Sequence, residues 1–247
     1  MTTSNAAAPM NQANLERMAG DAKLRREARE LFIAACRYRY SYNFSWLGRP
    51  IIQFPEDIVA MQEIVWRVKP DLIVETGIAH GGSLLLWASL LHLLGGDGQV
   101  AGIDVEIRPA NRVEIERHPL SSRITMIEGS SVEAAVVERV QALARVRRRV
   151  LVVLDSNHTH DHVARELDLY SPMVRQGSYL VVMDTVVEDM PADLFPDRPW
   201  GPGNNPRTAV DEFLKRNHRF EVDAEIDGKL LMSVAPGGYL RCVKDPA

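Results

Sequence analysis

Two aspartates and a histidine stand where their types and spacing could do chemistry. Asp155 and Asp184 each end a short apolar run, Val150–Asp155 and Ser178–Asp184. If these runs are neighbouring parallel strands, both carboxylates face one cleft, where hard oxygen ligands suit Mg²⁺ and leave open positions for substrate oxygens. Such an ion lowers the pKa of a bound hydroxyl and orients it. His158 follows Asp155 closely and is placed to take the hydroxyl proton, which a neutral imidazole does at physiological pH. His158, His160 and His162 alternate and could be mistaken for a transition-metal cluster. No cysteine accompanies them, and a helix is expected to begin near Asp161, scattering the three rings and leaving Asp161 as an N-cap.

A second constellation lies upstream. The run Leu72–Glu75 ends in Glu75-Thr76-Gly77-Ile78-Ala79-His80-Gly81-Gly82-Ser83. Gly77 allows a sharp turn, and Gly81-Gly82 let backbone approach a ligand before the next helix. The dinucleotide pattern needs a glycine two residues after the first, and Ala79 stands there. The spacing suits a ligand without a pyrophosphate, such as S-adenosylmethionine. Asp104, at the end of Gln99–Asp104, can accept both hydroxyls of an unphosphorylated ribose. Gly129 and Ser130, after Arg123–Glu128, fall beside the adenine. In an open α/β sheet these strand ends are where ligands bind.

The elements that must position these residues alternate. Expected helices span Gly82–Leu94, Ala110–Glu116, Val132–Ala144 and Asp161–Val174, between strands that read as continuous apolar runs buried on both faces. Five βα repeats imply a doubly wound, Rossmann-like sheet with right-handed crossovers. A helix near Thr208–Lys215 precedes two strands, Phe220–Ile226 and Leu230–Ala235, joined by the hairpin-type turn Asp227-Gly228. A mostly parallel sheet closed by an antiparallel hairpin is the class I methyltransferase arrangement. Upstream, Pro55 opens a helix to Val68 that ends at Lys69-Pro70. Residues 1–14 read as a disordered tail, Leu15 to Tyr40 as one helix, and Tyr38 to Phe54 as an aromatic stretch with a turn at Gly48-Arg49-Pro50. This divides the chain into an N-terminal extension, 1–54, and a catalytic domain, 55–247.

Composition excludes other classes. The 247 residues are 46% hydrophobic and 25% charged, with a net charge of −4, so nothing pulls the chain toward nucleic acid or anionic membranes. Two cysteines, Cys36 and Cys242, make neither a disulfide framework nor a zinc site. The N-terminus has no signal-peptide pattern, and Leu84–Leu94 is too short to span a bilayer. A cytoplasmic location is expected.

The runs Trp46-Leu47-Gly48-Arg49-Pro50-Ile51-Ile52-Gln53, Pro55-Glu56-Asp57-Ile58 and Glu75 through Ser83 resemble the cephalosporin hydroxylase / rhamnosyl O-methyltransferase family, from about residue 30 to 243. The resemblance implies a class I fold that binds S-adenosylmethionine and methylates hydroxyls of sugars or other natural products. It implies Asp155 and Asp184 as metal ligands and His158 as general base. Metal-dependent macrolide-sugar methyltransferases of this kind carry a Glu-Asp pair where this chain has Met183-Asp184. Either Mg²⁺ is held by the two aspartates with Thr185 and water, or the site is metal-free and His158 acts alone.

The loop Val186–Pro206 is long for a connection, as lids and binding elements are. Trp200 could cover a sugar face while Asn204 and Asn205 hydrogen-bond its hydroxyls. The aromatic stretch Tyr40–Trp46 is expected to pack the N-terminal helix onto a neighbouring subunit of a homo-oligomer rather than to line an acceptor pocket. The resulting expectation is methyl transfer to a small hydroxyl acceptor by direct displacement, much of the rate coming from alignment. The alternative is a non-catalytic S-adenosylmethionine- or nucleoside-binding subunit that assists a separate enzyme.

Overall fold

A computed structural model describes residues 8–246. A seven-stranded sheet runs β5-β4-β3-β6-β7-β9-β8. Its strands are β3 (Leu72–Thr76), β4 (Gln99–Asp104), β5 (Ile124–Glu128), β6 (Val150–Leu154), β7 (Tyr179–Val182), β8 (Phe220–Val222) and β9 (Tyr239–Cys242). The first five are parallel, and β9 runs antiparallel to both β7 and β8. This is the expected doubly wound class I methyltransferase sheet.

Strand side chains alternate between two cores, as a pleat requires. Ile73, Val100, Leu151, Val153 and Val181 pack with helices α2 (Ala22–Cys36), α3 (Pro55–Val68) and α4 (Gly82–Leu94). Leu72, Val74, Ile103, Val152 and Leu180 pack with α6 (Ala134–Arg145), α7 (His160–Tyr170) and α8 (Pro206–Arg216). Both faces are thus covered, and β3 and β6 are buried at every position. Between β4 and β5 lies α5 (Pro109–Arg117). Helices α3 and α4 have the expected bounds. Pro55 opens α3, and left-handed Lys69 ends it before Pro70.

The N-terminal region departs from expectation in three ways. Residues 1–7 lie outside the described residues, and 8–14 belong to a helix, α1 (Ala8–Gly20), rather than a tail. The helix expected over Leu15–Tyr40 is broken because Asp21 caps α2, its carboxylate accepting from the Lys23 and Leu24 amides. The aromatic stretch forms a hairpin, β1 (Phe44–Trp46) with β2 (Arg49–Ile51). Its turn residues Leu47 and Gly48 both have positive φ, 45° and 87°, as a type I′ turn requires. Tyr40 packs on Phe44 and Phe54, and Trp46 donates to Ser89 in α4, while Tyr38 and Tyr42 face solvent. Ile51 and Phe54 share the core of α3 and α4.

The C-terminal strands pair as expected but are not joined by a two-residue turn. Asp223 accepts from the Glu225 and Ile226 amides and starts a short helix, α9 (Ala224–Lys229), that contains Asp227-Gly228 and buries Ile226. The second strand is β9, later than the expected 230–235. No helix among the described residues is long and apolar enough to cross a membrane.

Candidate active site

The site lies where β3 separates β4 on one side from β6 on the other, at the carboxyl edge of the sheet. Gly77 sits in this cleft at φ +93°, where a Cβ would lie 2.1 Å from the Asp155 carbonyl oxygen. No other residue fits. The turn beyond it passes through Ala79, at φ 46°, to Gly81, the N-cap of α4. Asp104 grips this turn from β4. Its Oδ2 accepts from the Ile78 and Ala79 amides at 2.8 and 3.2 Å, and its Oδ1 from the Glu106 amide. Gly129 is tied to the same strand end through the Asp104 carbonyl, and Ser130 follows it half-buried. The ends of β3, β4 and β5 therefore form one continuous shelf.

The hairpin holds the turn from outside. Arg49 donates to the His80 carbonyl through Nε and Nη2, and to Asn111, whose amide donates to the Ala79 carbonyl. The Pro50 carbonyl lies so close to α4 that a Cβ on Gly82 would stand 2.2 Å away. Glu75, expected to touch a ligand, is turned beneath the shelf instead. By the alternation of β3 it faces α4, where Ser83 Oγ and Trp87 Nε1 donate to it at 2.8 and 2.9 Å. Burial pushes its pKa up to about 7 against those two hydrogen bonds.

Asp155 and Asp184 follow the paired strands β6 and β7. With His158 they place one ligand atom each within 4.8 Å of one another, the only such cluster among the described residues. Asp184 has a left-handed backbone, φ 55°, and its Oδ2 lies 3.2 Å from His158 Nε2. Asp155 is held well above the usual carboxylate range, first by burial and then by the charges of Asp184, Glu75, Glu166 and Asp57. His158 is raised on a short turn in which the Asn157 side chain accepts from the Thr159 amide and hydroxyl. Trp200 packs edge-on against the His158 ring, centroids 5.5 Å apart, with Phe195 at 5.3 Å and the Arg198 guanidinium at 5.8 Å from the Trp200 ring.

Other expected site residues are turned elsewhere. Thr185 is buried and donates its hydroxyl to the Pro236 carbonyl, away from the carboxylates. Asn205 is fully buried as the N-cap of α8, with its amide spent on Glu188 and the Gly201 carbonyl. Asn204 accepts from the His160 amide and donates to the Pro199 carbonyl, bracing the loop on α7. Both asparagines hold Trp200 in place rather than presenting free amides. The three histidines scatter as expected, His160 to Thr208 and Glu212, His162 to Ser131, Ser156 and Glu166. The helix cap is at Thr159, not Asp161, which lies exposed in the first turn of α7. Met183 is buried in the core and offers the site nothing.

Arg49, Asn111 and Gln53 were missed as site residues. Arg49 and Gln53 stand in the run that carried the family resemblance. Gln53 Nε2 donates to Asp155 Oδ2 at 3.3 Å. No local pattern marks Asn111.

The sheet order, the glycine turn and the acidic strand ends define a class I methyltransferase. Residues 38–243 match the family described as Rhamnosyl O-methyltransferase/CmcI, and the chain belongs to that family of O-methyltransferases. The rhamnosyl O-methyltransferase of Mycobacterium tuberculosis (strain ATCC 25618 / H37Rv) is 30% identical over 185 residues, 74% of this chain and 72% of that protein. That of Mycobacterium leprae (strain TN) is 28% identical over 201 residues, covering 79% and 82%. A solved structure of CmcI with Mg and SAM shares the fold at a TM-score of 0.57, with 19% identity over 82% of this chain and 77% of that one.

Proposed function

We propose that this chain transfers the methyl group of S-adenosylmethionine to a hydroxyl of a sugar or another small natural product, with His158 as general base. One observation carries the reading. A histidine paired to a carboxylate at 3.2 Å stands beside Asp155, at the mouth of the glycine turn. The rhamnosyl acceptor in the relatives' name makes rhamnosyl glycosides the first acceptors to assay.

The residues fit both groups. The shelf of Gly77, His80, Gly81, Gly82, Asp104, Gly129 and Ser130 would hold the cofactor, with Ser83 behind it. Asp155 and Asp184 would hold Mg²⁺. Their crowded charge, visible in the raised pKa of Asp155, is what a cation relieves. When bound, S-adenosylmethionine supplies a methyl group on a good sulfonium leaving group, and Mg²⁺ supplies Lewis acidity toward a hydroxyl.

With Asp184 accepting from His158 Nε2–H, the imidazole lone pair resides on Nδ1. That nitrogen would take the proton of the acceptor hydroxyl and so ready its oxygen for the methyl group. Trp200 excludes water from one side of His158 and offers an apolar face to a sugar ring. Proximity and alignment supply much of the rate.

Labelled S-adenosylmethionine and a panel of glycosides test this. Wild type should methylate at least one acceptor. His158→Ala should lose roughly 10²- to 10⁴-fold in turnover while binding S-adenosylhomocysteine normally. Wild-type turnover in the variant would remove His158 from the chemistry. Cofactor binding without methylation of any acceptor would favour the non-catalytic subunit.

A further inference from the structure

The opposite edge of the sheet carries a second constellation. Helices α3, α4 and α6 each lead into a parallel strand, so all three end at the amino edge, away from the candidate active site. Asp71 ties the turns there side by side. Its carboxylate accepts from the Arg148 and Arg149 amides, both at 2.9 Å, and its carbonyl from the Gln99 amide at 3.2 Å. Arg147 reaches Asp97 at 3.9 Å, and Arg123 donates to the Gly96 and Gly98 carbonyls. The turns 69–71, 95–98, 121–123 and 145–149 therefore form one face.

That face is cationic in a chain whose net charge is −4. Its turns hold Lys69, Arg123, Arg145, Arg147, Arg148 and Arg149 against two acids, Asp71 and Asp97. Arg145, Arg148 and Arg149 are exposed, and their guanidinium groups form no ion pair among the described residues. Cations favour helix C-termini, but Arg147 to Arg149 lie beyond Arg145, the last residue of α6. Large apolar side chains stand among these charges, one at the end of each helix. Trp66, Leu93 and Val146 are 61%, 78% and 80% exposed, and Lys69 Nζ lies 5.5 Å from the Trp66 ring.

We propose that this face docks the protein on an anionic lipid bilayer. A nucleic acid would satisfy the charges alone. A bilayer satisfies both features, with the arginines at its phosphates and Trp66, Leu93 and Val146 at the boundary with the acyl chains, the level that tryptophan favours. Docked this way, the carboxyl edge with the glycine turn faces water and stays open to a soluble ligand.

Sedimentation of the full chain with phosphatidylcholine vesicles, made with and without phosphatidylserine, tests it. Binding should require phosphatidylserine and weaken as salt rises. The combined change Arg145→Glu, Arg148→Glu and Arg149→Glu should weaken it roughly 100-fold or more. Its thermal midpoint should match wild type, since none of the three side chains is buried. Val146→Asp, a single change at an exposed position, should weaken binding too. Tryptophan emission of bound wild type should shift to the blue, and Trp66→Phe should still sediment but lose that shift. Absence of wild-type binding to phosphatidylserine vesicles overturns the proposal. So does undiminished binding of the triple variant and Val146→Asp, which would assign the contact to another surface. An unshifted emission overturns it as well, since Trp66 then stays in water. A single-stranded oligonucleotide bound as tightly as the vesicles, and released by the triple variant, would assign the face to nucleic acid instead.

Discussion

Asp184 adopts a left-handed backbone that aspartate tolerates better than most residues, and its carboxylate meets His158 there. On the proposed reading one carboxylate would both orient an imidazole and help hold an ion. The expected consequence is a metal dependence with two acidic ligands only, since Met183 is buried and Thr185 is turned to Pro236. Chelation should lower methylation by on the order of tenfold or more, with recovery on adding Mg²⁺. Asp184→Asn should need more Mg²⁺ for half-maximal rate. Full activity after exhaustive chelation would show that His158 acts without an ion. At this scale much was legible. That Asp155, His158 and Asp184 lie together was legible because strand ends of a parallel sheet share an edge. Thr185, Asn204 and Asn205 could not be judged, because the direction of a loop side chain depends on what it packs against.

At the scale of elements, the hairpin β1–β2 is the piece whose role was least visible. It reads as an aromatic stretch with a turn, yet it lies against α4 and clamps the glycine turn through Arg49. Two guanidinium contacts to the His80 carbonyl and one to Asn111 hold a segment that already contains three positive-φ residues, Gly77, Ala79 and Gly81. Such a segment is costly to order. Arg49→Ala should therefore weaken S-adenosylhomocysteine binding by roughly tenfold, the worth of a charge-assisted hydrogen bond. Because Arg49 contributes little to either core, the thermal midpoint should move little. Calorimetry and a thermal melt on the same sample check both halves. A large drop in midpoint with normal affinity would make the clamp a folding element.

For the whole molecule, two buried carboxylates tie stability to pH. Glu75 beneath the shelf is pushed up to about 7, and Asp57 in α3 to about 6, both chiefly by burial. Asp57 joins the N-terminal half to the end of the sheet by accepting from Ser233, Val234 and Tyr239. Each folded pKa lies above the unfolded value, so the folded chain binds more protons across the interval between them. Stability from these groups is therefore greatest below about pH 4 and falls as pH rises toward 7, levelling off beyond. Glu75 accounts for about 3 kcal/mol at most. Glu75→Gln keeps an acceptor for Trp87, and Ser83 can reverse its hydroxyl, so the variant should flatten the decline between about pH 5 and 7. Thermal midpoints across that range decide it. A variant curve parallel to wild type would place the titration elsewhere.

The sequence by itself determined the order of the strands and helices between Pro55 and Arg216, the bounds of α3 and α4, and the placing of Gly77, Asp104, Asp155 and Asp184 at strand ends. Those features are local. Apolar runs, glycines and prolines act on their own neighbours, and a parallel sheet gathers its strand ends at one edge. Only the tertiary structure decided that Glu75 points beneath the turn, that Asp21 breaks the first helix, and that Asp227-Gly228 is helical. It alone also set Gln53 against Asp155, 102 positions apart. Contacts of that reach leave no period in the chain; they arise when packing brings distant elements together and each buried polar atom must find a partner.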